Sequence, residues 1–491
     1  MKKLLRTLCL ISVLALMLCS FAACGGDKDD GKDDGAKKST KTSTVSTKAS
    51  ETSKVDEKPM DGHGQTITFA TPRVVDLTPG ISYENDLLIQ RIAEVEEKYN
   101  IKVVFESEID QSDYWDAMVA KAMAGEVFGD VMLIYPYFLD EWVAGNIVTD
   151  IAPIAEKVGV DWNDGSWDTQ ALQTGTFGNK IYSFCREQTE LTAGLIYNTE
   201  LLKRANLEDP SVWVEKDEWN FDKLQEYAKK LTVTDASGNI TQYGLSTTTC
   251  ELFMGCFILA NDATAVEYNE KGYPSLTMDS AKSLEALNTF NTMLNTDRSV
   301  ECMACMKNWQ EAADAFCNGK VGMLVCEEWV IEYIRDVMGE AGNGEDYALT
   351  YFPKGPNGTD YVDASFGGMT EYFIYNSGDE AKEELAFRVY CDLYAPDEEI
   401  SVEDKVTTTA ESLFPDENSV EVYKDIILNN KSVSLNMYKL GLSVRQDFKD
   451  VYTNICNNSG SPQSIINSLK TEIETYMEDS TYYAEIKKQN G

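Results

Sequence analysis

The 491-residue chain holds one histidine, His63, and that count removes most catalytic chemistry. No Ser-His-Asp or Cys-His couple can be built in the folded part, and neither can a histidine-rich metal site. Carboxylates remain: 82 Asp and Glu could supply the acid pair of glycoside hydrolysis, but no spacing marks such a pair. Twelve cysteines are present. Cys9 and Cys19 lie in an apolar leader and Cys24 just after it, which leaves nine, an odd number that cannot all pair within one chain. Cys302 and Cys305 form a lone C-x-x-C without two further zinc ligands or the βαβ context of a redox motif. Neither the Asp/Gly run 27–35 nor the turn Asp235–Asn239 keeps enough acids at calcium-loop spacing. No catalytic residue, no metal ligand and no cofactor is therefore assigned.

What remains is non-covalent recognition. Residues 66–70 alternate and stop at Pro72, and 101–105 and 130–134 read as further strands. Amphipathic helices are expected over 87–99 and 114–124, with Leu88, Ile92, Val95 and Tyr99 on one face of the first. Strand, helix, strand, helix, strand implies a parallel α/β sheet, whose ligands bind beyond the carboxyl ends of its strands. Arg73, Tyr135 and Tyr137 lie at those ends. Further strands are read at 195–197, 243–245, 321–326 and 371–375. Helices are read at 219–231, 281–294, 309–317 and 380–394, with a helical region from 444 and a glycine break at Gly367-Gly368. Trp115 and Trp219 are expected in the core.

Residues 1–24 read as a signal peptide: Lys2, Lys3 and Arg6 precede an apolar run, 8–18, too short to span a bilayer. Ser20-Phe21-Ala22-Ala23-Cys24-Gly25 resembles a bacterial lipobox, in which Cys24 would carry the lipid. Residues 25–64 are Asp-, Gly-, Lys-, Ser- and Thr-rich, a composition that cannot offset its ordering entropy and suits a flexible tether. The net charge is −39, and the acid excess lies beyond residue 64. That balance opposes nucleic-acid binding, which needs clustered Lys and Arg.

Six segments in order resemble the family 1 extracellular solute-binding proteins of ABC importers, the maltose-binding-protein-like group. They are Gly178-Asn-Lys180-Ile-Tyr182, the run from Leu195-Ile-Tyr-Asn198 to Asn206, Trp219-Asn-Phe-Asp222-Lys-Leu224, Ala228-Lys-Lys-Leu231-Thr232, Phe316-Cys-Asn-Gly319-Lys320-Val-Gly-Met323 with Trp329 behind it, and Tyr351-Phe-Pro353-Lys-Gly-Pro356. The resemblance implies a two-lobe α/β fold with a hinge and an interlobe cleft. Lobe one would be 65–185 plus 368–430, and lobe two 186–367 plus 431–491. It further implies a lipid-anchored, monomeric receptor at the outer face of the bacterial cytoplasmic membrane, delivering an oligosaccharide or other carbohydrate to an ABC permease. Rings would cover sugar faces while carboxylates, amides and Arg bond the hydroxyl edges. On that reading Arg73, Tyr135 and Tyr137 line lobe one, Glu187 and Glu190 follow the first crossing, Trp329 is lobe two's platform, Glu371 lies near a crossing, and Arg445 and Asp447 close the site. A cationic ligand such as a peptide or polyamine stays open as an alternative.

Overall fold

A computed structural model describes residues 60–107, 111–186, 190–301, 308–340, 347–365, 371–397 and 399–491. The leader, Cys24 and most of the expected tether lie outside these residues, as do Glu187, Cys302, Cys305, Gly367 and Gly368. The strands that position the site are β1 (Thr66–Ala70), β2 (Lys102–Glu106), β3 (Val131–Ile134), β4 (Gly194–Asn198), β5 (Ile240–Thr247), β6 (Val266–Tyr268), β7 (Val300–Glu301), β8 (Val321–Cys326), β9 (Tyr347–Thr350), β10 (Asp363–Ser365), β11 (Glu371–Ile374) and β12 (Ser432–Ser434).

The first sheet has the order β11-β3-β1-β2. Its three early strands are parallel, as the alternation of strands and helices requires, and β11 returns antiparallel on β3. Helix Tyr83–Tyr99 covers it. Ser82 caps the helix start by accepting from Asn85 N, and Asn100 ends it in the left-handed region at φ 51°. Helix Glu380–Leu393 packs beside it, and Leu385, Phe387, Val389 and Tyr390 join Ile67, Phe69 and Val131 in one core.

The second sheet has the order β7-β5-β8-β4-β9. Its centre, β8, is buried at all six positions, which explains its unbroken apolar run Val-Gly-Met-Leu-Val-Cys. Helix Phe221–Leu231 lies so close to β5 that a Cβ on Gly244 would stand 1.9 Å from the carbonyl oxygen of Ala228. Asn220 caps that helix. Trp219 is fully buried, with its Nε1 donating to the Tyr351 carbonyl at 2.8 Å.

Two sequence expectations change. Helices Val402–Leu413 and Glu417–Leu428, placed with lobe one on sequence, pack on the second sheet: Val406, Ala410, Leu413 and Tyr423 share a core with Ile196, Leu324 and Leu349. The expected tether is shorter, because Gly62 donates its N–H to the Tyr99 carbonyl at 2.7 Å and Gly64 to Asn100 at 2.7 Å. Residues 60–64 thus belong to the body. Gly62 is required there, since a Cβ would meet Ile101 at 2.2 Å.

Between the sheets, β10 pairs in parallel with β12. Asp363, on β10, ties three segments together. Its carboxylate accepts from Thr192 N at 3.3 Å, Ala193 N at 2.8 Å and Ser432 Oγ at 2.9 Å. The last helix, Thr481–Asn490, docks on elements of both lobes. Asp140 accepts from Thr481 N and Tyr482 N at its start, Glu485 pairs with Lys180 at 2.9 Å, and Tyr482 Oη donates to the Gly272 carbonyl.

Candidate functional site

The parallel strands of each sheet deliver their carboxyl ends to one edge. In lobe one these ends carry Arg73 after β1 and Tyr135 and Tyr137 after β3. In lobe two they carry Thr248, Thr249 and Glu251 after β5, and Glu327, Glu328 and Trp329 after β8. The edges meet. Tyr135 and Tyr137 stack at 5.4 Å and 16°, and Tyr137 lies 5.9 Å from the ring of Tyr438. Burial raises the Tyr137 hydroxyl well above its usual range, and the carboxylates of Glu251 and Glu327 across the boundary add to that.

Those two carboxylates are held differently. Glu327 accepts from Thr248 Oγ1 at 2.6 Å and Thr249 Oγ1 at 2.7 Å, which fixes its orientation. Glu251 accepts from Tyr438 Oη at 3.1 Å; burial pushes its carboxyl up to about 7, with that hydrogen bond and Lys449 opposing. A polar edge therefore runs along a row of three tyrosine rings.

Trp329 is 37% exposed at the start of helix Glu328–Glu340. Its ring meets Trp309 edge-on at 4.6 Å, and Trp309 meets Tyr333 at 5.4 Å. Glu190 has accessible surface, and the protein atoms around it act on its carboxyl. Burial raises its carboxyl, Arg73 lowers it, and Glu332 raises it again. Arg73 itself is exposed and forms no ion pair with a described residue. Glu328 accepts from Leu191 N at 2.8 Å and Tyr423 Oη at 2.7 Å, and burial pushes it up to about 7.

The remaining candidates are placed elsewhere. Glu371 opens β11 opposite Ile134, has no exposed surface, and points into the interior toward Lys439 rather than lining an open wall. Arg445 and Asp447 are consumed by each other in a two-point pair of 3.1 and 2.8 Å, with the guanidinium over the Tyr476 ring at 4.2 Å. Asp235 spends its carboxylate on Ser237 N, Asn239 N and Asn239 Nδ2 within its own turn. Among the described residues no group of three or more His, Cys, Asp or Glu could hold a metal ion. Cys250 is disulfide-bonded, whereas Cys256, Cys317, Cys326 and Cys391 carry unbridged thiols. Burial pushes the Cys256 and Cys326 thiols well up, as befits packing residues.

Sequence reasoning missed Glu251, Glu327, Trp309 and Tyr438. The first two sit directly beyond the carboxyl ends of β5 and β8, so the strand-end rule applied to lobe two as to lobe one would have found them. Trp309 follows an Asn308 cap and reads as an ordinary helix start. Tyr438 arrives from a segment more than a hundred residues beyond β8, and nothing local marks it.

The family model for bacterial extracellular solute-binding proteins matches residues 82–389, more than half of the chain. No curated protein sequence matches significantly. Solved structures share the fold. The GacH receptor of Streptomyces glaucescens, studied unliganded and with acarbose, is 17% identical, covers 85% of this chain and 99% of its own, and has a TM-score of 0.57. An ABC substrate-binding protein of Listeria monocytogenes in complex with cycloalternan is 16% identical over 84% and 99%, with a TM-score of 0.56. UgpB of Mycobacterium tuberculosis with glycerophosphocholine is 14% identical over 84% and 99%, with a TM-score of 0.57.

Proposed function

The chain belongs to the bacterial extracellular solute-binding proteins, and from that membership we propose that its cleft captures a saccharide and presents it to an ABC permease. The family is a binding component of transport, not an enzyme class, and the work asked of the site is closure around a ligand. One observation carries the saccharide reading: the row Tyr135, Tyr137 and Tyr438 lies beside the oriented carboxylates Glu251 and Glu327. Rings offer faces to the C–H side of a pyranose, and fixed carboxylates accept from its hydroxyls. Acarbose and cycloalternan in structures of the same fold support this choice. Trp329 and Trp309 extend the platform, and Arg73 and Glu190 supply opposite charges at its rim. Cys24 anchors the mature protein through lipid, with residues 25–59 as the tether.

A thermal-shift screen of the mature protein against maltooligosaccharides tests this. A saccharide at about 100 times its dissociation constant adds about 2.7 kcal/mol to the native state. Trp329→Ala should weaken that saccharide by about 10- to 100-fold by calorimetry. The melting point of the unliganded protein should hardly move, because Trp329 is partly exposed. A large loss of unliganded stability would make Trp329 a packing residue.

The second reading, a cationic ligand, rests on a run of acids: Glu332 raises the carboxyl of Glu190, and both raise that of Glu328. A screen in which polyamines or basic peptides stabilise the protein and no saccharide does would select it.

A further inference from the structure

The tyrosine row is assembled from two segments far apart in the sequence. Tyr137 lies in the turn Pro136–Phe138, which follows β3, and Tyr438 opens the turn Tyr438–Leu440, which follows β12. The two turns pack backbone against backbone: a Cβ on Gly441 would stand 3.3 Å from the Tyr137 carbonyl oxygen. Two short turns hold such a spacing only if something rigid backs both of them. The last helix, Thr481–Asn490, is bonded to the segments that carry each.

On the Tyr137 side the bond is Asp140, three residues further along the chain and buried. Its two carboxylate oxygens accept from Thr481 N at 3.0 Å and Tyr482 N at 2.8 Å, while Ser480 Oγ accepts from Tyr483 N at 3.1 Å. The leading N–H groups of a helix have no partner within it, so Asp140 supplies what the helix start lacks. On the Tyr438 side the bond runs through Tyr482. Its ring meets Tyr268 edge-on at 5.4 Å, and its hydroxyl donates to the Gly272 carbonyl at 2.9 Å. Tyr268 in turn donates its hydroxyl to the carbonyl of Asn436, two residues before Tyr438, at 2.8 Å.

We propose that Asp140 and Tyr482 are positioning residues for ligand binding: through them the last helix sets the spacing of the Tyr137 and Tyr438 turns, and with it the affinity of the row. The assignment rests on the reading of that row as the ligand site. Rings from two separate segments grip one guest only while their spacing is right. The apparent dissociation constant rises as the fraction of molecules holding that spacing falls. Neither residue acts on the guest; each acts through a turn that carries a ring. A hydrogen bond confined to one core stabilises the fold without touching that fraction, and this separates positioning from ordinary packing.

Hydrogen exchange of the unliganded mature protein tests the coupling without any ligand. Gly441 N and Leu442 N donate within the second turn, to the carbonyls of Tyr438 and Met437, whereas Asp140 bonds the helix. Asp140→Ala should speed exchange at Gly441 and Leu442 at least about tenfold, and Tyr482→Phe at least about threefold. Calorimetry with maltotriose should show affinity falling by the same factors. Tyr347→Phe is the control: it removes a buried bond to the Leu413 carbonyl inside the second sheet's core, so it should cost stability and leave both readouts unchanged. Should Asp140→Ala fold poorly, Tyr482→Phe carries both arms. Unaltered exchange at Gly441 and Leu442, faster exchange with unaltered affinity, or an equal affinity loss in Tyr347→Phe would each overturn the proposal. A wild type that binds spermidine and no maltotriose fails the saccharide reading alone, and spermidine then serves as the titrant for the same variants. If neither binds, the exchange arm decides.

Discussion

Asp363→Ala should lower the unfolding free energy by about 2–4 kcal/mol, a large share of the stability of an ordinary domain. The side chain is 2% exposed and accepts from two backbone N–H groups and a serine hydroxyl. Removing it orphans the buried N–H groups of Thr192 and Ala193, and each orphaned donor costs about 1–3 kcal/mol. Part of that loss is returned, because the carboxylate was itself costly to bury. Asp363→Asn keeps one acceptor oxygen and should lose about half as much. Urea unfolding of the three proteins checks the order. Equal midpoints for wild type and alanine variant would show that the segment joining β10, β12 and the start of β4 is held by its backbone alone.

The second large effect is with pH. Stability should peak near pH 4.5–5 and fall steadily toward pH 7. Burial pushes Asp363 up to about 6, and Glu251 and Glu328 up to about 7. In the unfolded chain the same groups ionise near pH 4. Between about pH 4 and pH 7 the native state therefore holds more protons than the unfolded one, and raising the pH favours unfolding. For Asp363 alone, about two pKa units correspond to roughly 3 kcal/mol at most. Release of self-repulsion in a chain of net charge −39 acts in the same direction. Below the optimum the sign reverses. Asp397 is held down to about 2 by the Glu399 and Ile400 N–H groups and Lys405, and Glu96 is lowered by Lys102. Their contributions are present above pH 4 and are lost as they protonate. Melting points from pH 3 to pH 8 check this, and the Asp363→Asn slope between pH 4 and pH 6 should be flatter than wild type. A midpoint that rises from pH 5 to pH 7 would contradict the assignment.

Periodicity made much of the framework readable. The alternating run at β1, the unbroken apolar run at β8 and the amphipathic helix Trp309–Cys317 stand where the residue pattern puts them. Tyr135, Tyr137 and Trp329 come to the strand edges because parallel strands deliver their ends together. Other features depend on information that no local pattern holds. An apolar face on Val402–Leu413 states that the helix packs, but not on which sheet, and the core it shares with Ile196 and Leu324 is set by tertiary contacts. Glu371 begins a strand, and alternation gives two faces without saying which one is closed by Lys439. Arg445 and Asp447, two residues apart at a helix start, satisfy each other before any guest could use them.

The edge-on contact of Trp309 with the partly exposed Trp329 gives the molecule a built-in dye. Trp142, Trp167 and Trp219 are almost wholly shielded and emit a constant blue background. A guest that covers Trp329 replaces water against its indole, so the emission maximum should shift to shorter wavelength in proportion to occupancy. Unlabelled protein in a cuvette would then report its own filling, and the Trp329→Ala variant would stay dark to the same titration.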